Sequence, residues 1–232
     1  MDHQPTLIEA VVDEAALAPD AVRGGWSWIG LGIRDVTERS LAAAALVLLS
    51  PILLAIAIAI RLDSPGPALF KQVRIGLKGR PFTFIKFRGM YIDALARFPE
   101  LYSYRYTQSE IDNLHFHSET DPRVTRVGRF IRSTSLDELP NFINVVWGDM
   151  SLVGPRPEIP EMIPYYGTAA GEILSVKPGV TSMAKVIGRD HLNFMETLAL
   201  DLEYVRNRGW AKDFRILCST LVLVVTGRSV GL

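Results

Sequence analysis

Residues 41–60 read LAAAALVLLSPILLAIAIAI, twenty positions without a charge. A helix of that length spans about 30 Å, the thickness of a bilayer's hydrocarbon core. A buried helix of a water-soluble domain rarely needs so long an apolar run. The segment is therefore expected to be membrane-embedded, and it is the one stretch of the sequence long enough to be. Ser50-Pro51 stands at its centre. Proline removes a backbone N–H and strikes the carbonyl four residues back, so a bend is expected there. The adjacent serine can satisfy a freed backbone group. The segment could cross as a kinked helix, or enter and return as helix-break-helix. Arg34 and Arg39 precede it and Arg61 follows it. Basic flanks on both sides show no inside–outside asymmetry and lean toward re-entry.

The 232 residues suit one domain with appendages. Lys and Arg number 25 and Asp and Glu 25, so no bulk charge attracts nucleic acid, and no nucleic-acid partner is expected. A single cysteine, Cys218, excludes a disulfide framework and a Cys-rich zinc site. Residues 1–20 carry Asp2, Glu9, Asp13, Glu14 and Asp20 and no Lys or Arg. This acidic lead reads as a solvated tail rather than a secretory signal.

Charge is patterned along the chain. Arg61, Lys71, Arg74, Lys78, Arg80, Lys86 and Arg88 follow the apolar run against one acid, Asp63. Such a surface suits anionic head groups or a substrate's phosphates. Residues 68–73 and PFTFIKF (81–87) are short strand candidates around a Gly76/Gly79 turn. Residues 91–120 read as a helix and a surface insertion. His115 and His117 lack companions there and are expected to be exposed loop residues rather than metal ligands. Arg123, Arg126, Arg129 and Arg132 stand three apart, broadly one-sided on a helix. Ser135-Leu-Asp-Glu138 has the capping-box spacing, opening a helix that Gly148 ends. Asp137 and Glu138 are unremarkable in a first helical turn for dipole reasons alone. Residues 195–205 have helical amphipathic spacing. Phe214–Val225 is too short to span and suits an interfacial helix, or equally a core helix.

The charged constellation has a chemical reading. Asp137-Glu138 follows four arginines and precedes Asp149 and Arg156. Many cations with few carboxylates describe a site for a di- or triphosphate. One carboxylate can hold Mg²⁺ shared with phosphate oxygens, and another can attack phosphorus. Beside a membrane segment, a lipid phosphate is the natural acceptor. A non-catalytic membrane adapter that binds anionic lipid competes with this reading.

Four blocks carry a family resemblance: Leu49-Ser-Pro51, LDSPGPALFKQVRIGLKGRPFTFIKFRGM (62–90), DPRVTRVGRFIRSTSLDELPNFINVVWGDMSLVGPRPE (121–158) and KPGVTSMAKVIGR (177–189). Together they resemble the bacterial sugar transferases, monotopic polyprenyl-phosphate phosphoglycosyl transferases. The resemblance implies transfer of sugar-1-phosphate from a UDP-sugar to undecaprenyl phosphate, with release of UMP, as the first membrane step of surface-glycan assembly. It implies a ping-pong route through a phosphosugar ester on Asp137. Glu138 matches the residue associated with Mg²⁺. Lys86, Arg132, Arg156 and Arg189 match phosphate- and nucleotide-binding positions. Arg88 and Asp149 are added as candidate substrate-binding residues. Ser50 and Pro51 match the break of a re-entrant helix with both ends at the cytoplasmic face of the inner membrane, among its lipids.

Two departures stand out. The usual Lys-Arg-x-x-Asp start becomes RDVTE, with Glu38 at the Asp place. The usual GWAQVxGR becomes SMAKVIGR, with Lys185 at the Gln place, which should alter donor choice. The fold expected is α/β: a compact, mostly helical catalytic domain with short strands, one re-entrant membrane helix and interfacial amphipathic helices. Its divisions are a tail (1–33), the membrane helix (34–62), the catalytic domain (63–190) and C-terminal interfacial helices (191–232). The donor sugar is not legible, and homo-oligomer formation is left open.

Overall fold

The computed structural model describes residues 28–115, 121–188 and 191–226. The acidic lead, His117 and Arg189 lie outside the described residues. The chain begins with α1 (Trp28–Asp63), 36 residues in one uninterrupted helix with Pro51 inside it. Pro51 has no N–H to offer the carbonyl of Val47. The Ser50 hydroxyl donates to that carbonyl at 2.7 Å instead. The pair is thus housed within a helix rather than placed between two. The middle of α1 is bare and apolar: Val47 is 75% exposed, Leu48 79% and Leu54 63%. Water is a poor solvent for such a surface.

Both ends of α1, by contrast, are built into the domain. Near its start Arg34 pairs with Glu38 Oε1 at 2.6 Å and with Asp213 Oδ2 at 3.0 Å. Glu38 Oε2 also accepts the Leu152 N–H at 3.1 Å. Asp35 pairs with Lys177 and Arg39, and Ala42 is fully buried beside Phe84, Val145 and Met150. At the other end Ile56 and Ile60 pack on Phe87 and Ile131. Asp63 accepts the Val127 N–H at 3.0 Å, a carboxylate on a helix N-terminus.

β1 (Leu69–Ile75) and β2 (Pro81–Phe87) form an antiparallel hairpin with Phe70 opposite Lys86 and Arg74 opposite Phe82. Pro81 opens its strand, where a missing donor is harmless. Period-two alternation sends Phe82, Phe84 and Lys86 to one face and Ile85 and Phe87 to the core. Among its described residues the insertion contains only short pieces, α2 (Ala94–Arg97), a turn at Pro99–Tyr102 and α3 (Gln108–Asp112). α4 (Arg126–Ser133) is capped by Thr125, whose hydroxyl accepts the Gly128 N–H at 2.9 Å. Arg123 therefore precedes this helix, pairing with Asp121 at 2.8 Å, and only three of the four spaced arginines are helical. A Cβ on Gly128 would stand 1.9 Å from the Gly89 carbonyl oxygen, so only glycine lets α4 rest on the chain leaving β2.

The expected capping box at Ser135 is not formed. Ser135 is left-handed (φ 58°) and its side chain does not cap. A tight turn, Leu136–Glu138, then leads through Pro140 into α5 (Asn141–Trp147), which Gly148 ends at φ 92°. The left-handed residue swings the dyad out of any continuous helix, a strain often found at functional sites.

β3 (Ser151–Val153) pairs in parallel with β4 (Gly179–Thr181). Between them lie a tight helical stretch, Pro160–Ala169, and α6 (Ala170–Ile173). α7 (Met183–Ile187), α8 (Phe194–Asn207) and α9 (Trp210–Thr226) complete the chain. The molecule is mostly helical with short strands, as expected, but the strands make two separate two-stranded sheets. α9 is packed on the domain along one side. Ile216 and Leu223 are buried in the domain, while Phe214, Leu221 and Val225 remain exposed.

Asn144, fully buried on α5, joins α5 to β2. Its amide donates to Thr83 O at 2.7 Å and accepts from Ile85 N at 3.1 Å, as a neighbouring strand would. Asn144→Ala strands both backbone groups and should cost about 3 kcal/mol in denaturant unfolding. Arg34→Ala leaves Glu38 and Asp213 buried together without their cation. It should cost at least about 3 kcal/mol, read as a lowered melting temperature in detergent.

Candidate active site

Four segments meet around one open, basic cavity. The hairpin supplies Arg74, Phe84 and Lys86; the dyad turn and α5 supply Glu138 and Asn141. The loop after β3 supplies Arg156 and Pro157, and β4 with the start of α7 supplies Thr181, Ser182 and Lys185. Asp137, buried to 8% exposure, stands beside this group. The loop that carries Arg156 can approach β4 because both meet at glycine. A Cβ on Gly179 would stand 2.1 Å from Gly154 N.

The two carboxyls of the dyad differ because their surroundings differ. Burial is the largest influence on Asp137, and the neighbouring Glu138 charge adds to it. Lys86, Lys185 and Arg132 pull the other way, and the group ends raised to about 6. Burial also works against ionisation of Glu138, but Lys185 and Arg156 overcome it and hold that carboxyl down at about 2. Lys185 Nζ is ion-paired with Glu138 Oε2, and Arg156 Nη1 lies 3.6 Å from Oε1. Lys86 is pushed down to about 8, first by burial and also by Arg74, Arg132 and Arg156, with Asp137 the chief opposing charge. No ion pair within 4 Å engages Lys86 among the described residues. Its ammonium lies 5.7 Å from the Phe70 ring. A desolvated cation cluster of this kind is arranged for an anion with several oxygens.

Supporting residues hold the cations in place. Arg156 N donates to Asp201 Oδ2 at 3.0 Å, and Arg156 Nε lies 3.6 Å from Glu158 Oε1. Arg74 donates to Pro157 O at 2.8 Å and pairs with Glu158 at 3.2 Å. The Ser182 hydroxyl accepts the Lys185 N–H at 3.1 Å, capping α7 and setting the start of the lysine side chain.

The structure thus brings together Lys86, Asp137, Glu138 and Arg156, with Arg132 at the end of α4 near enough to act on Asp137 and Lys86. It does not bring in two other candidates. Arg88 is buried against the Ser64-Pro65 turn, donating to Ser64 O at 2.8 Å and to Pro65 O. A guanidinium occupied by backbone carbonyls braces a turn, and Arg88 does not line the cavity. Asp149 sits just past the end of α5, with its N–H on Asn144 O at 3.0 Å, and does not line the cavity either. Sequence reasoning passed over Arg74, Asn141 and Asp201 as site residues, and marked Ser182 and Lys185 only through the SMAKVIGR departure that bears on donor choice. Arg74 was recoverable in principle, since strand alternation and hairpin register place it on the face of Phe84 and Lys86. Among the described residues, no three His, Cys, Asp or Glu side chains form a metal-binding group. His115 is exposed, as expected.

These features describe a class: a domain clamped to a bilayer-suited helix, holding a carboxylate pair among cations fit for a polyphosphate. The chain belongs to the bacterial sugar transferase family, whose model matches residues 30–227. It is 41% identical over 203 residues to a UDP-glucose:undecaprenyl-phosphate glucose-1-phosphate transferase of Escherichia coli, covering 82% of this chain and 40% of that one. A protein of the same description from Caulobacter vibrioides is 37% identical over 204 residues, 83% of this chain and 71% of its own. A galactosyl transferase, CpsE, of Streptococcus agalactiae is 41% identical over 163 residues, 70% of this chain and 35% of its own. The chain therefore spans well under half the length of several curated relatives that it matches.

Asp201 is 3% exposed, and burial raises its carboxyl to about 8 despite the Arg156 N–H that it accepts. The folded state then holds a proton that the unfolded state, with an ordinary carboxyl near 4, releases. Its stabilising contribution is complete below pH about 4 and is lost as pH rises through about 8. Asp201→Asn should remove that slope, so urea unfolding of wild type and variant between pH 5 and 8.5 should diverge with rising pH, the variant losing less.

Proposed function

We propose that the protein is a phosphoglycosyl transferase moving sugar-1-phosphate from a UDP-sugar to undecaprenyl phosphate at the cytoplasmic face of a bacterial inner membrane. The observation that carries this reading is the buried Asp137 standing against Glu138, Lys86, Arg132 and Lys185. In the first half-reaction an Asp137 oxygen attacks the phosphorus that bears the sugar. The phosphoanhydride bond to UMP breaks, UMP leaves, and an aspartyl phosphosugar remains. In the second, an oxygen of undecaprenyl phosphate attacks the same phosphorus and the Asp137 carboxylate is regenerated. One phosphoanhydride is broken and one is made overall, so positioning and charge stabilisation carry the catalysis.

Each residue has a task that follows from its place. Asp137, at about 6, is ionised at neutral pH yet shielded from water. Lys86, Arg156 and Arg132 face the oxygens on which charge develops. A divalent cation would have to arrive with the substrate: among the described residues Glu138 is the one carboxylate lining the cavity and both its oxygens already face cations, whereas Mg²⁺ commonly shares one carboxylate with a substrate's diphosphate. Glu138 would hold it, and the ion would neutralise diphosphate charge when bound.

The membrane reading rests on α1. Its bare middle seeks lipid, while Ala42 and Ile60, 0% and 1% exposed, are both packed into the same domain. A segment with both ends on one domain supports a monotopic seat over a crossing, and a re-entrant course requires α1 to bend at Pro51, where a backbone hydrogen bond is missing. With Cys218 replaced by Ser, cysteines at Gly32 and at Leu62 should both react with an impermeant reagent from the cytoplasmic side of oriented vesicles. Protection of one of them until the membrane is opened would mean a crossing helix.

The activity is tested by incubating purified protein with undecaprenyl phosphate, Mg²⁺ and a panel of UDP-sugars, following UMP. Release is expected with at least one donor, and mass spectrometry should find a phosphosugar on the peptide containing Asp137. Asp137→Asn should reduce turnover by at least about 10³-fold with its melting temperature retained. Silence with every donor would favour a lipid-binding adapter.

A further inference from the structure

Two asparagines stand one turn apart on α5, and only one of them has a structural task. Asn144, 0% exposed, spends both atoms of its carboxamide on β2, at 2.7 and 3.1 Å. Asn141, 1% exposed, makes no side-chain hydrogen bond among the described residues, and its Oδ1 is buried without a partner. A buried polar group left unpaired is costly, so the fold gains nothing from a carboxamide at this position.

Asn141 lines the active-site cavity together with Glu138, three positions before it across the turn at Pro140. Among the described residues, the other neutral polar side chains of that lining are Thr181 and Ser182. Both are engaged: the Thr181 hydroxyl bonds with that of Thr220 at 2.7 Å, and Ser182 accepts the Lys185 N–H. An unpaired carboxamide calls for a ligand group that both gives and accepts a hydrogen. Ionised phosphate oxygens only accept, and the cations of the cavity serve them better. Hydroxyls and amides do both. In a nucleoside diphosphate sugar they lie at two ends, on the sugar and on the nucleoside. The phosphorus that Asp137 attacks bears the sugar directly, and the nucleoside begins one phosphate further on. Asn141 follows Asp137 by four residues through a tight turn, so the sugar is the end beside it.

Resting on the transferase reading, we propose that Asn141 determines donor specificity by hydrogen-bonding the substituent, hydroxyl or acylamino, on the sugar carbon next to the anomeric one. Of the sugar's ring substituents, that one stands nearest the attacked phosphorus. The contact outlasts the departure of UMP, since the phosphosugar stays on Asp137 until the lipid phosphate takes it. A site that pairs with a polar group rejects a donor lacking it, because the carboxamide is then left buried and unpaired.

The test uses the full chain in detergent micelles with undecaprenyl phosphate. It compares the best donor from the UDP-sugar panel with the same donor lacking its C2 substituent, in wild type, Asn141→Ala and Asn141→Leu. Leucine has nearly the shape of asparagine and no hydrogen-bonding group. In wild type the missing substituent should lower kcat/KM by about tenfold or more. In both variants it should cost less than about threefold, because the partner it would have met is gone. Their melting temperatures should stay near that of wild type, unlike that of Asn144→Ala. A wild type indifferent to the C2 group would overturn the proposal. So would equal discrimination in wild type and variants, with both donors impaired alike, which would put Asn141 against the nucleoside or in the frame of the site. UMP release by wild type reports separately on transfer. Silence with every donor removes both readings, while an active wild type whose discrimination ignores Asn141 sinks this inference alone.

Discussion

Arg34 lies in the interior between Glu38 and Asp213, and much of the architecture hangs on that arrangement. It joins the first turns of α1 to α9, and through Glu38 to the backbone of β3. Tyr204 donates to Asp213 Oδ1 at 2.7 Å and ties α8 to the same knot. A buried charge with two carboxylates is weak evidence of net stability, but it gains strongly from being complete. It therefore specifies position. The start of α1 can dock in one way, even though the helix's bare middle would be drawn elsewhere. Asp63 on the N-terminus of α4 repeats the device at the far end. A lipid-seeking segment is thereby kept in register with the domain that carries the chemistry.

The same logic governs the cavity. Two adjacent carboxyls are split by environment: one raised by burial and by its neighbour, the other lowered by the two cations at its oxygens. Such separation assigns different roles to chemically similar groups. Asn144 carries the structural half of this arrangement. By bracketing the edge of β2 it ties the strand of Lys86 to the helix that follows the dyad, so Lys86 and Asp137 are positioned from one frame.

Legibility varied with the range of the interaction involved. The apolar run, the PFTFIKF strand and the Gly148 stop are local patterns, and each is found where the residues place it. The Ser135 capping box was equally local and still failed. The spacing was right, but Ser135 takes a left-handed turn, and Asp137 ends within electrostatic reach of Lys86. Arg123 fell out of the arginine series because the helix starts only after Thr125, which caps it, while Arg123 pairs with Asp121 ahead of it. Arg88 looked like a phosphate ligand because it sits two residues from Lys86. That spacing would share a face with Lys86 on a continuing strand, but β2 ends at Phe87 and the chain beyond it takes Arg88 onto the Ser64-Pro65 turn.

What the sequence determined by itself was a membrane-suited segment with its serine and proline, short strands among helices, and the acidic pair set among arginines. These follow from residue type and near-neighbour spacing. The tertiary structure alone decided that Arg74, Lys185 and Asp201 belong with that pair, and that both ends of α1 rest on one domain. Those pairings join residues from 45 positions apart, Arg156 and Asp201, to 179 apart, Arg34 and Asp213. Charges and hydrogen-bonding groups act over a few ångströms of space, and no spacing along the sequence encodes which distant segments will be folded to that distance.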